Sequence, residues 1–478
     1  VRSALAAGEL RPLLQLPTGG GKTAIAANII LKEAHRGRVL FTVPALELVD
    51  QTAEAFRHWG VRDVGVMQGN HPLTDRLARV QVATVQTLRR RAAPDVGLVL
   101  VDEAHRQDRA LFDRMASEAW RDVPVVGLTA TPWTKGLGRH FGQLIVAETA
   151  VGLMEAGYLS QARVFAPSKP DLSKVRIRAG DYDVEGLSLA MRSATLVGDV
   201  VDQWLARAEH RPTLAFCVDR LHAKTVQAHF EAAGVPCGYL DGQSPKEERE
   251  EVRAAFASGR LKVVANVGVL TTGVDWDVRC VILARPTKSE MLFCQIVGRG
   301  LRTAPGKDHC LILDHTGTTA DLGFAWQIHH DELDDGSGAI SSGRKAARER
   351  ADLRTCRDCK AVYPTHEPRC PECGWQPMVR SKVTSITANL VEIDHDRAAR
   401  MERLDFLREL KAIGIEGGKS RNWPLAFYRQ KFSEWPAYGV LDTLAPAKAV
   451  REETRRWVKS RQIAYAKGRG MSPQAVRA

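Results

Sequence analysis

No apolar run in this 478-residue sequence is long enough to cross a bilayer. The longest, such as Val96–Val101, fall far short of the ~20 residues a spanning helix needs. The N-terminal stretch VRSALAAGELRP lacks the basic-then-apolar layout of a secretory signal. There is no low-complexity tract and no short-period repeat. These absences exclude membrane-spanning and fibrous classes and point to a cytoplasmic location. What is present is a globular composition, 44% hydrophobic with mean hydropathy −0.23, long enough for about three domains.

The net charge of +12 is unevenly placed. Residues 1–340 carry 40 Lys and Arg against 40 Asp and Glu, whereas residues 341–478 carry 28 against 16. A neutral body with a basic tail suggests contact with a polyanion; the competing reading is a solvated basic surface. The nine cysteines divide likewise. Cys217, Cys237, Cys280, Cys294 and Cys310 stand singly among apolar residues, as small core side chains do. Cys356, Cys359, Cys370 and Cys373 form two Cys-x-x-Cys pairs ten residues apart. In a cytosolic protein such pairs hold zinc in a closed, structural tetrahedral site, and the metal replaces a core that so short a segment cannot build. His366 is a weaker rival ligand.

Short apolar runs alternate with helical spacing in two successive cycles. Leu13–Leu16, Val39–Val43, Val80–Val85, Leu98–Val101 and Val125–Leu128 read as buried strands, with helices over Lys22–Ala34 and Leu46–Trp59. The second cycle has strands at Leu214–Val218, Cys237–Leu240, Lys262–Asn266, Cys280–Ala284 and Cys310–Leu313, with helices at Leu221–Ala233 and Lys246–Ala257. Such alternation predicts doubly wound parallel sheets. The predicted division is 1–155 and 156–330 for two α/β domains, 331–350 for a linker, 351–380 for a zinc ribbon and 381–478 for a basic, mostly helical segment.

Two motifs carry the chemistry. Leu13–Leu16 leads into Pro17, Thr18, Gly19, Gly20, Gly21, Lys22 and Thr23, then a helix. Strand, glycine loop and helix in that order make a phosphate cradle of backbone N–H groups, with Lys22 on the β- and γ-phosphates and Thr23 on Mg²⁺. Asp102 and Glu103 follow a buried strand, where the metal of an ATP site must be held. Asp102 is the expected metal ligand and Glu103 the general base.

Gly-Gly-Gly-Lys-Thr, the Asp102-Glu103-Ala104-His105 run and Thr129-Ala130-Thr131 resemble motifs I, II and III of superfamily 2 helicases. Residues 266–275 (NVGVLTTGVD) resemble motif V, and residues 295–302 fit motif VI, QxxGRxxR. This resemblance covers residues 13–315 and implies two tandem RecA-like domains. It implies Gly273 and Asp275 near the nucleotide, Gln295 near the attacking water, and Arg299 and Arg302 as fingers from the second domain. His105, Thr129, Ala130 and Thr131 would couple nucleotide state to closure. It also implies phosphate contacts to nucleic acid from Val43 and Pro44, from Thr84, Gln86 and Thr87, and from Thr271 and Thr272. Arg89–Arg91 read rather as a solvated basic turn. The family's Arg-Pro-Tyr-Gln-like adenine segment is expected ahead of the first helix, and Val1 falls within that expected helix.

The layout, with the residues ARPTKS and GRGLRTAPGK, resembles bacterial RadD-type repair helicases and prophage helicases. That implies a DNA-directed ATPase in repair, recombination or phage replication, working with single-strand-binding or other repair and replication proteins. RNA-dependent ATPase activity, an ATP-gated clamp and a restriction motor are the competing readings; there is no nuclease constellation. Between Arg421 and Tyr438, Trp423, Phe427, Tyr428, Phe432, Trp435 and Tyr438 alternate with Arg421, Arg429 and Lys431. Such a set can stack bases or form a small helical core, with the core reading slightly ahead.

Overall fold

The two cycles of alternating runs fold into two separate parallel sheets. A computed structural model describes residues 1–33, 37–69, 71–91, 95–106, 108–166, 170–178, 180–191, 194–271, 275–337, 353–376 and 395–468. The chain divides into two units, Val1–Met378 and Val379–Ala478.

In the first lobe the strands are β1 (Pro12–Gln15), β2 (Val39–Val43), β3 (Val64–Val66), β4 (Val80–Thr84), β5 (Leu98–Asp102), β6 (Val125–Thr129) and β7 (Gln143–Val146). Their order is β3-β4-β2-β5-β6-β1-β7, parallel throughout. Strands covered by helices on both faces are apolar along their length, and β2, β4 and β6 are buried at every position. The helix Glu47–His58 shows the complementary pattern, burying Val49, Ala53 and Phe56 at four- and three-residue spacing.

The second lobe is a six-stranded parallel sheet. Its strands are β8 (Gln161–Phe165), β11 (Thr213–Phe216), β12 (Cys237–Leu240), β13 (Val263–Asn266), β14 (Cys280–Leu283) and β15 (His309–Asp314), with a small pair of strands, β9 (Ile177–Arg178) and β10 (Asp181–Tyr182), between β8 and β11. The order is β12-β13-β11-β14-β15-β8, so the first strand of the lobe pairs with the last. Cys217, Cys237, Cys280 and Cys310 are buried within this lobe; Cys294 is only partly so.

In the two large sheets three strands escaped the sequence pattern: β3, β7 and β8, each at a sheet edge. β3 has only three residues, and β7 and β8 are partly exposed, so none forms a continuous apolar run.

A hairpin of β16 (Leu353–Thr355) and β17 (Val362–Pro364) carries the paired cysteines. It is fused to the second lobe. Ala361 bridges Phe165 at the end of β8, and Ala166 N–H donates to Lys360 O at 3.0 Å. Cys356, Ala361, Tyr363 and Cys370 share one apolar core with Phe165, Trp204 and Leu311.

In the C-terminal unit, helices His395–Glu416, Trp423–Phe432, Val440–Thr443 and Glu452–Gly468 surround Phe406, Leu407, Leu410, Tyr428, Leu441, Leu444 and Val458. Buried Glu409 accepts hydrogen bonds from Arg451 Nε (2.7 Å) and the Thr454 hydroxyl. Lys411 Nζ donates to the carbonyls of Leu441 and Leu444, each at 2.8 Å.

Candidate nucleotide site between the lobes

The phosphate loop leaves the end of β1 and turns into the helix Lys22–Glu33. Gly19 and Gly21 have φ of +85° and +88°, open to glycine at little cost. Space is equally demanding. A Cβ on Gly19 would lie 3.0 Å from Arg302 Cγ, and one on Gly298 would lie 2.6 Å from Thr18 Cβ. The second lobe therefore rests directly on the loop.

β5 delivers Asp102 and Glu103. Glu103 has φ +48°, a left-handed conformation that costs a non-glycine residue of order 1–3 kcal/mol. Its Oε2 lies 3.3 Å from His105 Nδ1. Burial pushes the Asp102 carboxyl up to about 7, helped by the charge of Glu103 and opposed by Lys22 and by the Glu103 N–H. For Glu103 burial acts in the same direction, but Lys22, His105, Arg299 and Arg106 outweigh it and its carboxyl is lowered. Two partly buried acids beside a lysine fit a divalent cation carrying polyphosphate.

His105 links the lobes. Its Nδ1 is 2.8 Å from Thr129 Oγ1, and its Nε2 is 3.2 Å from Gln295 Nε2 of the second lobe. Gln295 also reaches Thr131 Oγ1 at 3.4 Å. If the Gln295 amide donates, His105 Nε2 must be bare and Nδ1 must carry the proton. Burial lowers the imidazole pKa, with Arg106 and Lys22 adding to it against the pull of Glu103.

The helix Glu290–Gly300 presents Gln295 and Arg299 to this set. Arg299 is 4% exposed. Burial, then the charge of Arg302, pushes its guanidinium down to about 9, against Glu103, Asp275 and Asp102, whose charges favour the cation. Arg302 Nη1 donates to Asp275 Oδ1 at 2.7 Å. Lys22, Asp102, Glu103, His105, Thr129, Thr131, Gln295 and Arg299 thus converge from both lobes. Ala130 lies beside them, buried.

The residues expected to meet nucleic acid are less uniform. Val43 is in the core, so only its backbone can serve, and Pro44 is partly exposed. Thr84 is 1% exposed and caps the following helix, accepting from Thr87 N at 3.1 Å. Its hydroxyl is engaged in the cap. Gln86 is exposed, and Thr87 and Thr271 partly so. Thr272 and Gly273 lie outside the described residues. Arg89 pairs with Asp108 at 2.7 Å.

Sequence reasoning missed a strap. Residues 331–337, expected to begin a linker, instead dock on the first lobe. Asp334 Oδ1 accepts from Gly136 N at 3.1 Å, Gly138 N donates to Asp334 O at 2.7 Å, and Arg139 Nε donates to Asp335 O at 2.6 Å. His330 sits between Glu290 (2.7 Å) and the Trp133 ring (centroids 4.8 Å apart). The acidic, glycine-rich composition gives no sign of this partner, because an aspartate that accepts from backbone N–H groups looks like any surface acid.

The sulfurs of Cys356, Cys359, Cys370 and Cys373 lie within 4.8 Å of one another, a cluster that one tetrahedral ion fits.

Residues 1–134 match the family described as type III restriction enzyme, res subunit, and residues 197–304 match the helicase conserved C-terminal domain. The two matches carry the two halves of the convergent site. The chain belongs to the superfamily 2 helicases. The helicase is 28% identical to a 51.5 kDa protein of a Lactococcus phage, over 88% of this chain and 89% of that one. It is 30% identical to a Saccharomyces cerevisiae protein named as the ATP-dependent helicase IRC3, over 66% of this chain and 49% of the yeast protein. It is 24% identical to the ATP-dependent DNA helicase RecG of Escherichia coli O157:H7, over 67% and 47%. The chain spans about half the length of these last two relatives. In fold it is similar to a type I restriction enzyme HsdR fragment from Vibrio vulnificus, with TM-score 0.51 and 22% identity over 70% of this chain and 64% of that one.

Proposed function

We propose that this helicase hydrolyses ATP in response to DNA and uses the cycle to translocate on or unwind it. The reading rests on one placement: Arg299 of the second lobe is buried within electrostatic reach of Asp102 and Glu103 of the first. Phosphoryl transfer is catalysed by position and charge, and an arginine arriving from another domain contributes about 10³–10⁵ in rate.

In this scheme the loop N–H groups and Lys22 hold the β- and γ-phosphates. Thr23 and Asp102 would hold Mg²⁺, which would neutralise negative charge on the phosphate oxygens. Glu103 takes a proton from water as its oxygen attacks γ-phosphorus and the bond to ADP breaks. Gln295 orients that water. Arg299 and Arg302 neutralise the charge that spreads over the transferring group. Asp275 accepts from Arg302 Nη1 at 2.7 Å, which orients the guanidinium and leaves its other N–H groups to meet the phosphate.

DNA is favoured over RNA by the restriction-subunit family match and by the RecG relative, named for DNA. Val43, Pro44, Gln86, Thr87, Thr271 and Thr272 would contact its phosphates. The near full-length phage relative supports a setting in phage replication or repair. Zn²⁺ on Cys356, Cys359, Cys370 and Cys373 would hold the hairpin, and metal analysis should find about one atom per chain.

The test is ATPase activity with single-stranded, duplex and branched DNA and with RNA, using Lys22→Ala as the inactive control. Stimulation by DNA, with a loss of about 10³ in Arg299→Ala, supports the scheme. Stimulation by RNA alone overturns the substrate, and full turnover in an Arg299→Ala, Arg302→Ala double variant overturns the mechanism.

A further inference from the structure

The C-terminal unit separates its aromatic side chains into two groups. Tyr428 is buried in the core, and Trp423, Phe427, Phe432 and Trp457 pack against it. Trp435 and Tyr438 are left outside, 57% and 108% exposed. The core reading accounts for the first group and not for the second. Ser433, at φ +61°, ends the helix Trp423–Phe432, and Pro436 stiffens the tract between the two exposed rings.

One cation lies against the tract itself, and three more lie over rings of the core from which it leaves. The Arg429 guanidinium lies 4.8 Å from the Trp435 ring centroid. Lys431 Nζ lies 5.4 Å from Trp457 and 5.6 Å from Phe406, Arg403 lies 5.4 Å from Phe432, and Arg461 lies 5.6 Å from Trp457. Residues 379–478 carry 20 Lys and Arg against 11 Asp and Glu. Many of the acids are consumed internally. Glu409 pairs with Arg451, Glu416 with Arg455, Glu434 with Arg403, Asp442 with Arg421, Asp405 with Arg408 and Glu452 with Arg456. The excess positive charge therefore falls on side chains such as Arg429, Lys431 and Arg461, all exposed.

Exposed rings on a cationic surface select among partners. A duplex offers phosphates but no accessible base faces, and an apolar protein surface offers nothing to the cations. An unpaired strand offers both, and base-on-aromatic stacking suits it whatever the sequence. We infer that the C-terminal unit is a second contact for single-stranded nucleic acid, with bases stacked on Trp435 and Tyr438 and phosphates held by Arg429 and Lys431. The inference deepens the proposed action on DNA, by adding a site outside the motor lobes that grips the strand after it is opened.

The test uses the full chain and two fluorescent probes, a 20-nucleotide oligo-dT and a hairpin duplex of equal length. A Trp435→Ala, Tyr438→Ala variant should bind oligo-dT about ten-fold or more weakly, since each stacked base contributes roughly five-fold to a hundred-fold. Its duplex affinity and thermal midpoint should match wild type. Tyr438→Phe, which keeps the ring, should bind oligo-dT as wild type does. Arg429→Ala should flatten the salt dependence of oligo-dT binding by about 0.7 in the log–log slope, one strand phosphate. Unchanged oligo-dT affinity in the double variant, an equal loss on duplex, or a Tyr438→Phe as weak as the alanine variant would each overturn the inference. The two readings fail separately: wild type that no nucleic acid stimulates refutes the DNA-driven motor, whereas stimulated wild type with unaffected variants refutes only the second contact.

Discussion

His105 shows how much one side chain can be asked to do. It bridges Thr129 in its own lobe and Gln295 in the other, and its burial favours the neutral ring. A histidine whose pKa is lowered in the assembled site leaves that site with fewer bound protons than the opened form. Stability of the bridge is therefore complete above the ordinary histidine value of about 6.5 and is lost as pH falls below it. ATP turnover should show an acid limb below about pH 6.5, and His105→Gln should lose or displace that limb. A profile unchanged by the substitution would show that another group titrates there. At this scale the sequence is informative but incomplete. Lys22, Asp102 and Glu103 were legible from the strand, loop and helix context of their motifs, and Arg299 only through the resemblance of residues 295–302 to a helicase motif. The left-handed backbone of Glu103 and the capping role of Thr84 were not, since both depend on where the next few N–H groups point.

Among elements, the buried ones were legible and the marginal ones were not. Central strands such as β2 and β6 are apolar along their length because both faces are covered, and that pattern survives translation into letters. Edge strands β7 and β8 bury only part of theirs. The strap was hidden for a different reason: it is held through backbone groups of residues 136 and 138, which no side-chain pattern encodes. Asp334→Ala should remove the acceptor for Gly136 N and for Gly336 N. The expected cost is about 1 kcal/mol for a half-buried hydrogen bond, read as a lower thermal midpoint and faster proteolytic cleavage near residues 331–337. Equal protease resistance in variant and wild type would mean that the backbone pairs of residues 334 and 335 suffice.

For the whole molecule, the decisive quantity is how closely the lobes can approach. Gly298 faces Thr18 with no room for a methyl group. Gly298 lies within a helix, so alanine there imposes no backbone strain and acts through the contact alone. Gly298→Ala should therefore hold the arginines back from the phosphate loop while each lobe stays folded. Turnover should fall towards the level of Arg299→Ala, with ATP binding largely kept because the loop and Lys22 are untouched. Wild-type turnover in this variant would mean that the lobes need not meet so closely. Two-lobe architecture was readable from the repeated strand–helix cycle; the fit between lobes was not, because it depends on a distance of a few ångström across a cleft.

The order of strands in the second lobe bears on how the protein is made. β8 leaves the ribosome first among the six, yet its hydrogen-bonding neighbour β15 is synthesised last. At about 5–20 residues per second, the earliest strand must wait on the order of ten seconds for its mate. During that interval its backbone is a ready template for other nascent chains. The cysteine hairpin then closes over the end of β8, so maturation of this lobe finishes only when the cysteine-bearing segment has emerged, and on the proposed zinc site, zinc scarcity during translation should appear as aggregated newborn chains before it appears as lost activity.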